Sequence, residues 1–203
     1  AINPFGWSSP SDASGGVSPY APRALFGGGD TGSMSNVIDT VVITTLGNAS
    51  DFGDLSYSAQ NIYACSSVTR GIFAGGQLPS PSVNTISYLT IGSTGNTSDF
   101  GDLNYTNYAG AGLSNSTRGI FAGGSNRRAD INYITIASTG NSTSFGSISG
   151  GVAENTASCA SSTRGVWAGG NPSSGDNTIS YVTIASTGNS ADFGDLIVGR
   201  KSA

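Results

Sequence analysis

The side chains best suited to chemistry in this chain recur at a fixed spacing. Asp51-Phe-Gly-Asp54, Asp99-Phe-Gly-Asp102 and Asp192-Phe-Gly-Asp195 each bring two carboxylates together, and such hard oxygen donors suit Ca²⁺, which takes about six to eight of them. The count falls short in every copy, and the remaining copy has Ser144 and Ser147 in the same places. Serine keeps the capacity to accept a backbone hydrogen bond and loses the charge, which is what a turn cap tolerates and a cation site does not. Arg23, Arg70, Arg118 and Arg164 also recur, and a guanidinium held at one place in each repeat is suited to bonding carbonyls or an Asp of the adjacent repeat. The chain has no His, a single Glu at position 154, and two cysteines, Cys65 and Cys159, without CxxC spacing. That removes the commonest general base and the commonest metal ligand together. A nucleophile, base and orienter cannot be assembled from what is left. The expectation is a protein that is not an enzyme, with no catalytic residues, no metal site and no cofactor.

The elements that position these residues follow from composition. The chain has 203 residues, 36% of them hydrophobic and 10% charged, with 31 Gly. Ser, Thr, Asn and Gly crowd out the residues that build helices, so an all-β chain rich in turns is expected. A net charge of -4 excludes a nucleic-acid partner, which needs clustered Lys and Arg. No apolar run is long enough to insert in a membrane. The chain starts at Ala1, which fits removal of an initiator Met or of a longer leader.

Arg23-Ala-Leu-Phe-Gly-Gly-Gly29 returns as Arg70-Gly-Ile-Phe-Ala-Gly-Gly76, Arg118-Gly-Ile-Phe-Ala-Gly-Gly124 and Arg164-Gly-Val-Trp-Ala-Gly-Gly170, at spacings of 47, 48 and 46 residues. The Phe-Gly motifs keep step with it. Four units result, at about 13–58, 59–106, 107–152 and 153–203, preceded by residues 1–12. Each unit divides into four short strands, a to d. In the fourth, Thr156–Ser161 is a small-residue strand a, Arg164–Ala168 an apolar strand b stopped by Gly169-Gly170, and Thr178–Ile184 a strand c. Strand c carries apolar groups on both faces, Ile179 and Tyr181 against Val182 and Ile184, so its sheet is covered on both sides. Thr187-Gly-Asn-Ser190 is the turn of a c–d hairpin. Sheets of four short strands with two buried faces predict the blades of a β-propeller, with small strand a at the crowded axis. A closed ring of four blades is expected, with a ring completed by another chain as the alternative, since Gly199–Ala203 is similar to the opening of another strand a. In the closed ring Cys65 and Cys159 are buried free thiols on opposed inner strands, too far apart to bond.

These residues resemble the kelch repeat: a Gly-Gly pair after strand b, a Tyr in strand c (Tyr88, Tyr133, Tyr181) and an aromatic at the start of strand d (Phe52, Phe100, Phe145, Phe193). The usual Trp is Phe at the last position, and Thr40 replaces the Tyr in the first unit. The run Arg-Gly-Ile-Phe-Ala-Gly-Gly with Ile-Thr-Ile-Ala-Ser-Thr-Gly-Asn and Asp-Phe-Gly-Asp-Leu is similar to kelch-like repeats of marine tailed bacteriophages, cyanophages especially, over roughly residues 13–203. Ser190-Ala-Asp-Phe-Gly194 also resembles a sialidase Asp box, itself structural, without its completing aromatic. Kelch and sialidase enzymes need copper-binding His or an Arg cluster with an acid and a Tyr, and the first of these is absent here altogether. The resemblance implies a virion structural protein, tail-associated or on the particle surface, whose partners are other tail or capsid proteins and which binds a host-surface glycan if it serves attachment. A secreted or surface carbohydrate-binding lectin is the alternative.

Variation between units points to the binding end. The a–b and c–d turns scarcely change, whereas the b–c and d–a connections differ in every unit, and up-and-down strands put those two sets at one end of the sheets. Tyr57, Gln77, Tyr105, Tyr108, Arg127 and Arg128 lie there. The arm, residues 1–12, carries Ile2, Phe5 and Trp7, aromatic and aliphatic anchors suited to docking on a neighbouring protein. Of the glycosylation-type triplets at Asn48, Asn96, Asn115 and Asn141, three are simply the c–d turn.

Overall fold

The computed structural model describes residues 22–125, 128–149, 154–170 and 175–200. The described residues form an all-β chain of four antiparallel sheets, with no α-helix among them. The first sheet contains β1 (Arg23–Gly27), β2 (Val37–Val42) and β3 (Ser50–Asp54), and the second β4 (Tyr63–Ser66), β5 (Arg70–Ala74), β6 (Thr85–Thr90) and β7 (Ser98–Asp102). The third contains β8 (Ala111–Ser114), β9 (Arg118–Ala122), β10 (Asp130–Thr135) and β11 (Thr143–Ser147), and the fourth β12 (Ala157–Ala160), β13 (Arg164–Ala168), β14 (Asp176–Thr183) and β15 (Ala191–Arg200). Within each sheet the strands pair in chain order. The arrangement is consistent with a propeller. The residues expected to form strand a of the first unit lie outside those described, as does the arm with Ile2, Phe5 and Trp7.

Local sequence explains the strand limits. Strands b hold Ile, Val, Phe and Trp, which fill a pleated, buried surface, and stop where Gly75 and Gly76 take φ of 62° and 130°, values that side chains resist. Strands c and d share one irregularity. The register shifts after Ile38, Ile86, Ile131 and Ile179, so that each faces a Phe-Gly step of strand d. Such a bulge turns the strand locally and re-aims the Phe, and Gly101 within it sits at φ 141°.

The cores lie between sheets. One face of the second sheet (Tyr63, Cys65, Ile72, Ile86, Phe100, Leu103) packs on Phe121, Ile134 and Ile136 of the third. The third sheet repeats this against the fourth, with Leu113, Ile120, Ile131 and Phe145 on Trp167, Val182 and Ile184. The first does so against the second, with Ile38, Phe52 and Leu55 on Phe73, Leu89 and Ile91. Strand c therefore does present apolar groups to two neighbours. Strands a converge: Ser114 Oγ donates to the Ser66 carbonyl at 2.7 Å, Ser158 Oγ to that of Gly112 at 2.9 Å, and a Cβ on Gly112 would collide with the Ala64 backbone. Small residues are required there for that reason. Tyr63 and Leu113 are the exceptions, large strand-a side chains that are buried.

Three expectations fail at the ends. The outward faces of the first and fourth sheets are exposed at Phe26, Ile43 and Phe193, so among the described residues the first sheet does not close against the fourth. Cys159 is exposed accordingly, while Cys65 is buried, and both are free. Gly199 and Arg200 continue strand d, with Arg200 paired to Asp176, because the fourth sheet extends beyond the length of the other three.

Candidate binding face

The variable connections meet at one end of the sheets, held there by backbone bonds. The Gly29 amide donates to the Ala59 carbonyl and Gly76 to Asn107, which tie the first two b–c loops to the d–a connections that follow them. Gln60 and Gln77 exchange both backbone bonds between a d–a connection and the b–c loop that follows it, and the Ser125 amide donates to the Tyr108 carbonyl across the equivalent pair of loops. The rim is thus a hydrogen-bonded belt, and its side chains are mounted on an ordered frame.

Each candidate side chain has its own place in that belt. The half-buried Tyr57 hydroxyl donates to the Gly75 carbonyl at 2.8 Å, and burial raises its pKa. Gln77 Oε1 accepts from Asn61 Nδ2 at 3.1 Å and from Gln60 Nε2 at 3.3 Å. Tyr108 is half-buried and its amide donates to Asn107 Oδ1. Tyr105 and Arg128 are brought together: the guanidinium lies 4.0 Å from the ring centroid, within cation–π range. Arg128 also pairs with Asp130 at 3.2 Å. Asn132 Nδ2 donates to the Tyr105 hydroxyl at 2.7 Å. Burial, then Asp130, push the Tyr105 pKa up to about 12 against the opposing pull of Asn132 and Arg128. Arg127 lies outside the described residues.

The organising residue of this end is Asn107, and sequence reading passed over it. It is buried, and its Nδ2 donates to the Gly123 carbonyl at 2.7 Å while Oδ1 accepts from Ser125 Oγ at 2.9 Å and from the Tyr108 amide at 3.0 Å. The Tyr63 hydroxyl donates to the same Gly123 carbonyl at 2.8 Å. Asn107 therefore clamps the second unit to the b–c loop of the third. Its counterpart in the first unit is Ala59, so no repeat marked it.

The recurring motifs hold the sheets together. Arg70 Nη1 donates to the Ile136 carbonyl at 2.9 Å and Arg118 Nη1 to that of Ile184 at 2.8 Å, each reaching the next unit. Each guanidinium also covers the strand-c Tyr of its own sheet, at 4.6 Å for Tyr88 and 4.4 Å for Tyr133. In the first unit Thr40 takes the place of that Tyr and donates to the Ala24 carbonyl instead. Asp51 and Asp192 use a carboxylate oxygen to accept from the amides of Gly53 and Gly194, a local cap. The Gly-Asn step of the second, third and fourth c–d turns docks on the preceding sheet: Gly95 donates to the Phe52 carbonyl, Gly140 to Phe100 and Gly188 to Phe145. Asn96, Asn141 and Asn189 accept through Oδ1 from the amides of Asp54, Asp102 and Ser147, each at 3.0 Å. The turn that closes a hairpin is also the latch to its neighbour.

No protein-family model matches this chain, and no curated protein matches its sequence.

Proposed function

We propose that this chain is a kelch-like β-propeller protein of four units of four strands, serving as a non-enzymatic structural component of a tailed-phage virion. It sits on the tail or the particle surface, makes protein–protein or receptor contacts with its variable loop end, and is anchored by residues 1–12 through Ile2, Phe5 and Trp7. One observation carries the reading: the repeated Arg70 and Arg118 and the Gly-Asn turns bond to neighbouring sheets and the repeated Asp51 and Asp192 cap their own turns, while residues that vary, Tyr105 and Arg128 among them, are gathered on a hydrogen-bonded rim. A scaffold that holds its constant groups inward and changes only one rim is built for binding. The lectin reading is weaker, because the Tyr57 hydroxyl already donates to Gly75 and the Tyr105 ring is already covered by the Arg128 guanidinium.

Mass spectrometry of gradient-purified particles tests this directly, with the chain expected in stoichiometric amount in the wild type. Deleting residues 1–12 is expected to leave a folded protein that no longer joins the particle. Absence of the chain from particles, together with specific binding on a glycan array, would favour the lectin.

A further inference from the structure

Among the described residues the row of sheets leaves an apolar face exposed at each end. Each internal junction joins a downstream face, built from strands a to d of one unit, to an upstream face made of the strand-b aromatic and two strand-c aliphatics of the next. The upstream set is Phe73, Leu89 and Ile91, then Phe121, Ile134 and Ile136, then Trp167, Val182 and Ile184. In the first unit the same positions are Phe26, Val41 and Ile43, and Phe26 and Ile43 are 49% and 54% exposed, where Phe121 and Ile136 are 2% and 1%. On the fourth sheet Phe193 is 53% exposed, against 2% for Phe100.

The polar latch is divided in the same way. A Cβ on Gly53, Gly101 or Gly146 would strike the Gly95, Gly140 or Gly188 backbone of the next turn, whereas one on Gly194 meets nothing within 4 Å. Gly47 and Asn48, counterparts of Gly95 and Asn96, make no bond to another sheet among the described residues. Arg164, whose counterparts donate to Ile136 and Ile184, is exposed with its guanidinium 4.5 Å from the Tyr181 ring. Cys65, in the position of Cys159, lies so close to Gly119 of the next sheet that a Cβ there would sit 2.7 Å from its sulfur. The residue that would stand over Cys159 is Ala24, a methyl group where the other units have Gly71, Gly119 and Gly165, so the Cys159 sulfur must turn aside to admit it.

We propose that a second copy of this chain docks head-to-tail on the first, the upstream face of its first unit (Phe26, Ile43, Gly47, Asn48) seating on the downstream face of the fourth (Cys159, Arg164, Phe193, Gly194). Both faces stand open in the same folded chain, so its own head does not cover its tail. The partner that matches the apolar set, the Gly-Asn latch and the Arg acceptor together is another copy, because the apolar set and the latch already join each consecutive pair of units and the Arg donor joins the second to the third and the third to the fourth. The contact is heterologous, one patch against a different one.

Sedimentation velocity of the full chain from roughly 1 to 100 µM reads the assembly, with Ellman's reagent reading the thiols in the same samples. The wild type is expected to exceed monomer mass and to hide Cys159, while I43D and F193D alone run as monomers whose Cys159 reacts at least about tenfold faster. An equimolar mixture of the two variants is expected to recover a dimer, since one supplies an intact tail and the other an intact head. Both substitutions are on exposed side chains, and an unreactive Cys65 confirms that each variant is folded; N48A, in the exposed turn, is a milder weakening of the same contact. A wild-type monomer at all concentrations, whether Cys159 reacts or is protected by closure on its own first unit, would overturn the proposal. Variants that fail to complement on mixing would overturn it too, since they point to a patch pairing with itself.

Discussion

Arg70 and Ile136 are 66 residues apart in the chain, yet the guanidinium of one donates to the carbonyl of the other at 2.9 Å. Arg118 and Ile184 repeat the relationship at the same separation and 2.8 Å. A bond that recurs with the repeat belongs to the way units are joined, and it reaches out of its own sheet. Replacing Arg118 by Leu removes the charged donor and the stacking on Tyr133 together, and is expected to cost about 1–3 kcal/mol in urea unfolding. Lys at the same position should restore only part, since it lacks the planar face.

Gly146 offers a steric test of the latch. A Cβ there would run into the Gly188 backbone of the next turn, and backbone has little room to yield. G146A is expected to destabilise by about 2–4 kcal/mol, because the third and fourth sheets must part to admit one methyl group. A melt unchanged from wild type would show that the turn docks loosely.

The loop end carries a prediction about Arg128. Its guanidinium covers the Tyr105 ring and pairs with Asp130, but the side chains of that ion pair are 40% and 50% exposed. R128S should therefore lower stability by no more than about 1 kcal/mol. On the proposed function it should reduce incorporation into particles or receptor attachment by a larger factor. Equal attachment would remove Arg128 from the binding face.

Alkaline stability follows from the buried phenols. Burial raises the pKa of Tyr57 and Tyr63 above the usual value of 10.0, and moves Tyr105 to about 12. Repulsion from Tyr105 adds to the rise at Tyr63, which Arg128 opposes. Burial raises the Cys65 thiol as well. A group whose folded pKa lies above its unfolded one holds its proton more tightly when folded, so its contribution is complete below the unfolded value and lost as pH climbs through the folded one. Urea midpoints should hold flat to about pH 9 and fall steadily from there to 12, with phenolate absorbance from Tyr105 appearing late in the titration. A midpoint that rises over that window would contradict the burial of these hydroxyls.

Much of the architecture was legible in the repeats. The Arg and Gly-Gly markers place strands b, the two-faced apolar pattern of Thr178–Ile184 implies a sheet covered on both sides, and the small residues near Ser114 and Ser158 imply convergence. What the pattern does not contain is the relation between first and last unit. Phe193 and Phe100 stand in identical local sequence, but one is exposed and the other buried, because burial depends on whether a further unit follows in space. The same holds for Cys159 and Cys65. The binding end was legible as the location of variable loops, but not in its bonding: Asn107 lacks a counterpart in the repeat, and a Tyr that donates inward reads the same in sequence as one that faces a ligand.

The most direct measurement is a cryo-EM map of the particle that carries this chain. The account predicts density for four-stranded sheets fanned about an axis on the tail or outer surface, the loop end bearing Tyr105 and Arg128 against a neighbouring protein or pointing outward, and residues 1–12 seated on another virion protein. A complete particle map in which no density fits this chain would contradict it.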